Sequence, residues 1–182
     1  MLFIQLTGLS GVGKTTLAYL AKNKLMERGY QVEVIDGDEY RKLLCTDLTF
    51  SKKDRIENIR RLGIVSHLLS RNNIISILAA INPYECMRQE LINYGKNVKT
   101  VWLNCDLEIL IERDVKGLYK RAMLPDYDPQ KVYNFTGITD PYECPVNADL
   151  SIDTGIAPIE TNAKIFVDFI LSEIENIQRQ KV

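Results

Sequence analysis

Residues able to do chemistry begin close to the N-terminus. Gly8-Leu9-Ser10-Gly11-Val12-Gly13-Lys14-Thr15 has the spacing GxxxxGK[ST], which suits a loop whose backbone amides wrap a phosphate while the lysine neutralises it. Gly8, Ser10, Gly11, Gly13, Lys14, Thr15 and Thr16 are the expected contacts to a nucleoside triphosphate, ATP or GTP. Lys14 should reach the outer phosphates, and the Thr15 hydroxyl should ligate Mg²⁺. Asp36-Gly37-Asp38 is a second acidic feature. Two carboxylates beside a triphosphate can support a metal and accept a proton from an attacking hydroxyl. Asp36 is read as metal support and Asp38 as the candidate base, either of which could instead close a turn at a strand end. Lys14, Asp36 and Asp38 form the candidate catalytic set.

A second group of residues would face the other substrate. Arg41 follows Asp38 by three positions, and Arg55, Asn58 and Arg61 recur at spacings of three, so they share a helix face. Arg55 and Asn58 could fork onto a phosphate or sulfate, although such a stripe alone is also a solvated basic face. Phe50 and Phe135 are aromatic residues in loop settings, where rings either plug a core or sandwich a base. The basic run from Arg113 to Arg121 could close as a lid over the nucleotide, or lie as an exposed helix.

The elements that must carry these residues alternate in type. Apolar runs at 2–6, 31–35, 74–81, 100–105 and 149–153 read as strands. Helices are expected at 15–28 and 52–70, with a last helix from Pro158 to about residue 178. That order predicts one domain over 1–182: a three-layer α/β P-loop fold with a mostly parallel five-stranded sheet and a lid at about 113–138. Ligands in such sheets bind beyond the carboxyl ends of the strands, so the loops after the first three strands should meet at one rim. A chain of 182 residues with net charge −1 has room for a single core and no bulk attraction to nucleic acid or membrane. The four cysteines form no CxxC pair and read as buried apolar residues, and the single His67 reads as structural. No signal peptide or membrane span is expected, and the reading is a cytoplasmic protein.

The segments GLSGVGKTT, DGDEYR, DRIENIRR, INPYE, RDVKGLYKRA and FTGITDPYE stand in the order found in adenylyl-sulfate (APS) kinases. The resemblance spans about residues 4–155. It implies Mg²⁺-dependent transfer of the γ-phosphate of ATP to the ribose 3′-hydroxyl of adenosine 5′-phosphosulfate, and a homodimer. By that resemblance Phe50 and Phe135 clamp the acceptor's base, while Arg41, Arg55 and Asn58 hold its phosphate–sulfate end. Asp38 faces the 3′-hydroxyl. Ile81, Asn82, Glu85, Lys120 and Thr136 complete the acceptor site, and Arg113 and Lys116 belong to the lid over the donor.

Two departures bear on the acceptor. The family's SPYR is here Asn82-Pro83-Tyr84-Glu85, so the family serine that can be phosphorylated is missing and an arginine becomes a glutamate, although Arg88 is retained. A longer stretch, Met123-Leu124-Pro125-Asp126-Tyr127-Asp128-Pro129, replaces the usual short run after Ala122. The chemistry-bearing parts are kept while acceptor-side parts differ, as in the related cytidine diphosphoramidate kinases. Glu85 could accept a hydrogen bond from an N–H that sulfate lacks. A nucleotide-binding regulator without catalysis is opposed by the intact Lys14, Thr15, Asp36 and Asp38. A sugar, shikimate or nucleoside monophosphate kinase is opposed by the Phe50/Phe135 pair and DGDEYR.

Overall fold

Strand β1 (Phe3–Thr7) is buried at every position, because both of its faces are covered. Successive side chains point to opposite faces, so Ile4 packs with Leu2 and Leu6 into one apolar cluster, while Phe3 packs into another. Gln5 and Thr7 share the face of Phe3 and are satisfied by hydrogen bonds: Gln5 Nε2 donates to the Arg88 carbonyl and to Thr100, and Thr7 Oγ1 to the Ile81 carbonyl. The computed structural model describes residues 1–180.

Around β1 lie β2 (Val32–Asp36), β3 (Ile75–Ala79), β4 (Val98–Asn104) and β5 (Leu150–Asp153), all parallel, in the order β2-β3-β1-β4-β5. Helices α1 (Lys14–Met26) and α7 (Ile159–Arg179) contribute Leu17, Leu25, Phe166 and Ile170 to the first cluster. Helices α3 (Lys52–Arg71) and α4 (Glu85–Ile92) contribute Ile59, Leu62, Met87 and Leu91 to the second. The two clusters lie on the two faces of the sheet, giving the expected three-layer α/β P-loop architecture. Short helices α2 (Gly37–Leu44), α5 (Leu107–Arg113) and α6 (Leu118–Ala122) fill the connections.

Several local expectations need correction. Asp36-Gly37-Asp38 does not merely close β2; Asp36 caps α2, which starts at Gly37 and leaves Leu43 and Leu44 exposed. Pro158 sits at the cap position of α7, one residue outside the helix, and not in its first turn. Cys45 and Cys105 are buried as expected, but Cys86 and Cys144 are exposed. The His67 ring is tilted against Tyr94 at 5.4 Å. No described helix is long and apolar enough to cross a membrane.

Candidate functional site

The loops after β1, β2 and β3 meet around a cavity of about 460 Å³. Ser10, Gly11, Gly13, Lys14, Thr15 and Thr16 line it from the first loop, Asp36 and Asp38 from the second, and Ile81 and Asn82 from the third. Gly8 braces the phosphate loop from behind: a Cβ there would lie 2.5 Å from the Leu103 carbonyl oxygen of β4. Gly13 caps α1 at φ 96°, a left-handed conformation that favours glycine, and no side chain caps that helix. The first N–H groups of α1 are therefore left for an anion.

Lys14 Nζ donates to the carbonyls of Gly8 at 2.9 Å and Leu9 at 2.7 Å. Burial pushes its pKa down from 10.5 to about 7, Lys116 adds to the lowering, and the carboxylates of Asp38 and Asp36 pull the other way. Thr15 Oγ1 donates to Asp36 Oδ2 at 2.6 Å. The other oxygen of Asp36 accepts the backbone N–H groups of Asp38 at 2.9 Å and Glu39 at 3.1 Å. One carboxylate thus ties the phosphate loop to the start of α2. The Asp38 carboxylate is exposed toward the cavity region and accepts from Lys116 Nζ at 2.6 Å, across from the segment that follows α5.

The aromatic pair Phe50 and Phe135 lines the same cavity, with Thr136, Arg41, Arg55 and Asn58. Phe50 is 61% exposed, and the Arg41 guanidinium lies over its ring at 4.3 Å. Phe135 is buried and meets the edge of Tyr119 at 4.9 Å. Asn58 is buried, and its Oδ1 has no partner among the described residues.

Both arginines line the cavity, where they also meet groups of the chain itself. Arg41 donates to the Thr49 carbonyl while it covers Phe50. Arg55 donates to the carbonyls of Phe50 and Asn134 and to the Thr136 hydroxyl. Arg61, on the same predicted face, turns away and pairs with Asp47 and Glu57.

Three further residues lie outside the cavity lining. The Glu85 carboxylate accepts from Arg88 at 2.9 and 2.6 Å and from Gln89 at 2.6 Å, so its charge is already matched by the buried Arg88. Arg113 turns toward the Thr154 carbonyl at 3.3 Å. Lys120 is exposed on α6, where its backbone N–H caps onto Asp114.

This geometry can be set beside known proteins. The sequence profile of the family described as "Adenylylsulphate kinase" matches residues 1–153, a span that ends with β5. The probable adenylyl-sulfate kinase of Synechocystis sp. is 46% identical over 157 residues, covering 86% of each chain. The adenylyl-sulfate kinase of Chloroflexus aurantiacus is 39% identical over 176 residues, 97% of this chain and 90% of that one. The chain belongs to the adenylylsulphate kinase family. Among solved structures, the Mycobacterium tuberculosis APS kinase CysC in complex with AMPPNP and APS superposes with a TM-score of 0.84 at 35% identity, covering 92% of this chain and 95% of that one. As an adenylylsulphate kinase in type, the chain is a nucleotide kinase, a phosphotransferase with an alcohol acceptor.

Several residues that brace or line this kinase's cavity were not singled out from the sequence. Tyr119 donates its hydroxyl to the Ser10 carbonyl at 2.9 Å, joining α6 to the phosphate loop, and burial pushes its pKa up to about 12. Tyr84 donates to Asp140 at 2.9 Å, and Tyr142 lies 2.8 Å from Thr7 Oγ1, so 140–142 is pinned to the sheet. Val115, Val132 and Tyr133 add to the lining. Both Tyr119 and Asp140 stand inside family segments, but nothing in a segment's residue types says which member turns inward.

Proposed function

We propose that the chain transfers the γ-phosphate of ATP to the ribose 3′-hydroxyl of a 5′-activated nucleotide, with adenylyl sulfate as the family's acceptor. The observation that carries this reading is the meeting of Lys14 and Asp38 with the Phe50/Phe135 pair around one cavity. It combines a phosphate loop with a carboxylate and two aromatic walls suited to a second nucleotide. In this reading the loop amides, Lys14 and Lys116 balance charge on the transferring phosphoryl group. Asp38 orients the 3′-hydroxyl and accepts its proton. Phe50 and Phe135 take the acceptor's base between them.

Thr15 Oγ1 and Asp36 Oδ2 are hard oxygen donors 2.6 Å apart at the edge of the phosphate loop, a set that fits Mg²⁺. The described residues contain no cluster of three or more His, Cys, Asp or Glu, which suits an ion held mainly by substrate phosphates. Thr15 would hold the ion directly, and Asp36 would support it. When bound, Mg²⁺ would neutralise charge on the phosphates.

A second acceptor, cytidine diphosphoramidate, is favoured by Asn82 and by the longer 123–129 segment. Asn82 adopts φ 42° beside the cavity, where the family has a serine, and its buried Oδ1 has no partner among the described residues. Glu85 lends this reading no support, because Arg88 engages its carboxylate. A panel with Mg²⁺-ATP or GTP as donor, scored for 3′-phosphorylation by mass spectrometry, separates the acceptors. Higher kcat/KM on adenylyl sulfate removes the second reading, and absence of any 3′-phosphorylated product removes both.

A further inference from the structure

Side chains hold three successive carbonyls of the phosphate loop. Lys14, which lines the cavity, donates to those of Gly8 and Leu9. The next, that of Ser10, accepts from the Tyr119 hydroxyl at 2.9 Å. Tyr119 does not line the cavity; it is 2% exposed and reaches the loop from α6. Its seat is fixed at two points. The Tyr119 N–H donates to Asp114 Oδ1 at 3.0 Å, and the ring meets Phe135 edge-on at 4.9 Å. Burial pushes the hydroxyl's pKa up to about 12, so it keeps its proton and stays a donor at ordinary pH.

That bond also decides the other end of the same peptide. No peptide bond among the described residues is cis, and in a trans peptide the C=O and the N–H point in opposite directions. A Ser10 carbonyl aimed at Tyr119 therefore turns the Gly11 N–H away from α6 and toward the cavity that Gly11 lines. No acceptor among the described residues takes that N–H. Gly11 has φ 75°, and a Cβ there would meet no heavy atom within 4 Å, so packing does little to hold this peptide.

We propose that Tyr119 is a positioning residue for the donor: through the Ser10 carbonyl it sets the Gly11 N–H to face the donor's phosphates. Lys14 cannot do this alone, because incoming phosphates draw its ammonium away from the loop carbonyls. Tyr119 stands outside the cavity, so its bond can persist when the cavity fills. The inference rests on the reading that this loop binds the phosphates of ATP.

The test compares the isotope-labelled full chain with its Tyr119→Phe variant, which keeps the ring against Phe135 and loses only the hydroxyl. Each is titrated with Mg²⁺-ADP, followed by NMR and calorimetry, and thermal melting checks folding. In the parent the Gly11 amide proton should move downfield as it meets a phosphate oxygen, together with those of Lys14 and Thr15 at the start of α1. In the variant the Gly11 shift should be lost while those of Lys14 and Thr15 remain. Mg²⁺-ADP should bind the variant about tenfold more weakly, the worth of one hydrogen bond to a charged group. Asp114→Ala, which frees the Tyr119 N–H, serves with the same expected pattern if the phenylalanine variant does not fold. A Gly11 proton that stays in place in the parent overturns the inference, as does a Gly11 shift kept in the variant. Equal loss at Gly11, Lys14 and Thr15 also overturns it, because a merely loosened loop loses all three together. A parent chain that binds no Mg²⁺-ADP would overturn the donor reading itself, and this inference with it.

Discussion

The phosphate-loop half of the cavity is built from backbone, and the half around Phe50 and Phe135 from side chains that hold one another. Around the phosphate loop the decisive features are a close approach of Gly8 to β4, a left-handed Gly13 and the open first turn of α1. Around Phe50 and Phe135 they are an arginine fork, an arginine stacked on a ring and a tyrosine edge. A backbone site tolerates few residues and so leaves a strict motif. A side-chain site can be assembled in several ways and so leaves a looser pattern.

The sharpest way to break this comparison is Lys14→Ala. It should lower kcat/KM by about 10³-fold, the scale of removing one preorganised charge from a phosphoryl or acyl transfer site. The variant should still fold, and activity within tenfold of the parent would undo the donor reading. Next comes the contrast between the two rings. Phe135→Ala should cost about 3 kcal/mol of stability, because that ring is buried against Tyr119. Phe50→Ala should cost almost none, since Phe50 is mostly exposed, yet both should raise the acceptor KM. Denaturant unfolding alongside steady-state kinetics reads both effects, and equal stability losses would blur the two walls into one core.

A smaller effect is expected of Asp36→Ala. Loss of the α2 cap should lower stability by about 1 kcal/mol, seen as a drop of about 2–4 °C in Tm, together with slower transfer. A variant with slow transfer and parental melting would mean that Asp36 serves the metal alone. The smallest effect concerns protons. Burial holds Lys14 near pKa 7, and bound phosphates favour its charged form, so nucleotide binding above pH 7 should take up part of a proton. Calorimetry at pH 8 in buffers of different ionisation heat measures this, and zero uptake would count against it. The sign for stability follows from the unfolded value of 10.5. Between about pH 7 and 10.5 the unfolded chain binds more protons at this site, so the unfavourable contribution of Lys14 is present below 7 and relieved as pH rises.

Much of this was legible from residue order. Five runs rich in apolar residues became five parallel strands: β1 and β3 lie inside the sheet and are buried throughout, while the edge strand β5 is exposed on one face. The phosphate loop was legible because its glycines answer to geometry rather than to partners. Helix α2 was not, since a side-chain cap at Asp36 starts it and its 8 residues are mostly exposed. Arg41, Arg55 and Glu85 show the limit most clearly. Their types fit an anion or an N–H on a substrate, and in the folded chain the same groups also meet Phe50, Asn134 and Arg88. Contact of that kind depends on residues distant in sequence, which spacing does not reveal.

Asp36 stands where the two halves join, with one oxygen on Thr15 and the other on the first turn of α2. Seen mechanically, it is a ruler: the span of one carboxylate fixes how far the donor's loop stands from the helix that carries Asp38. The Thr15 hydroxyl and the first backbone N–H groups of α2 therefore meet on one carboxylate.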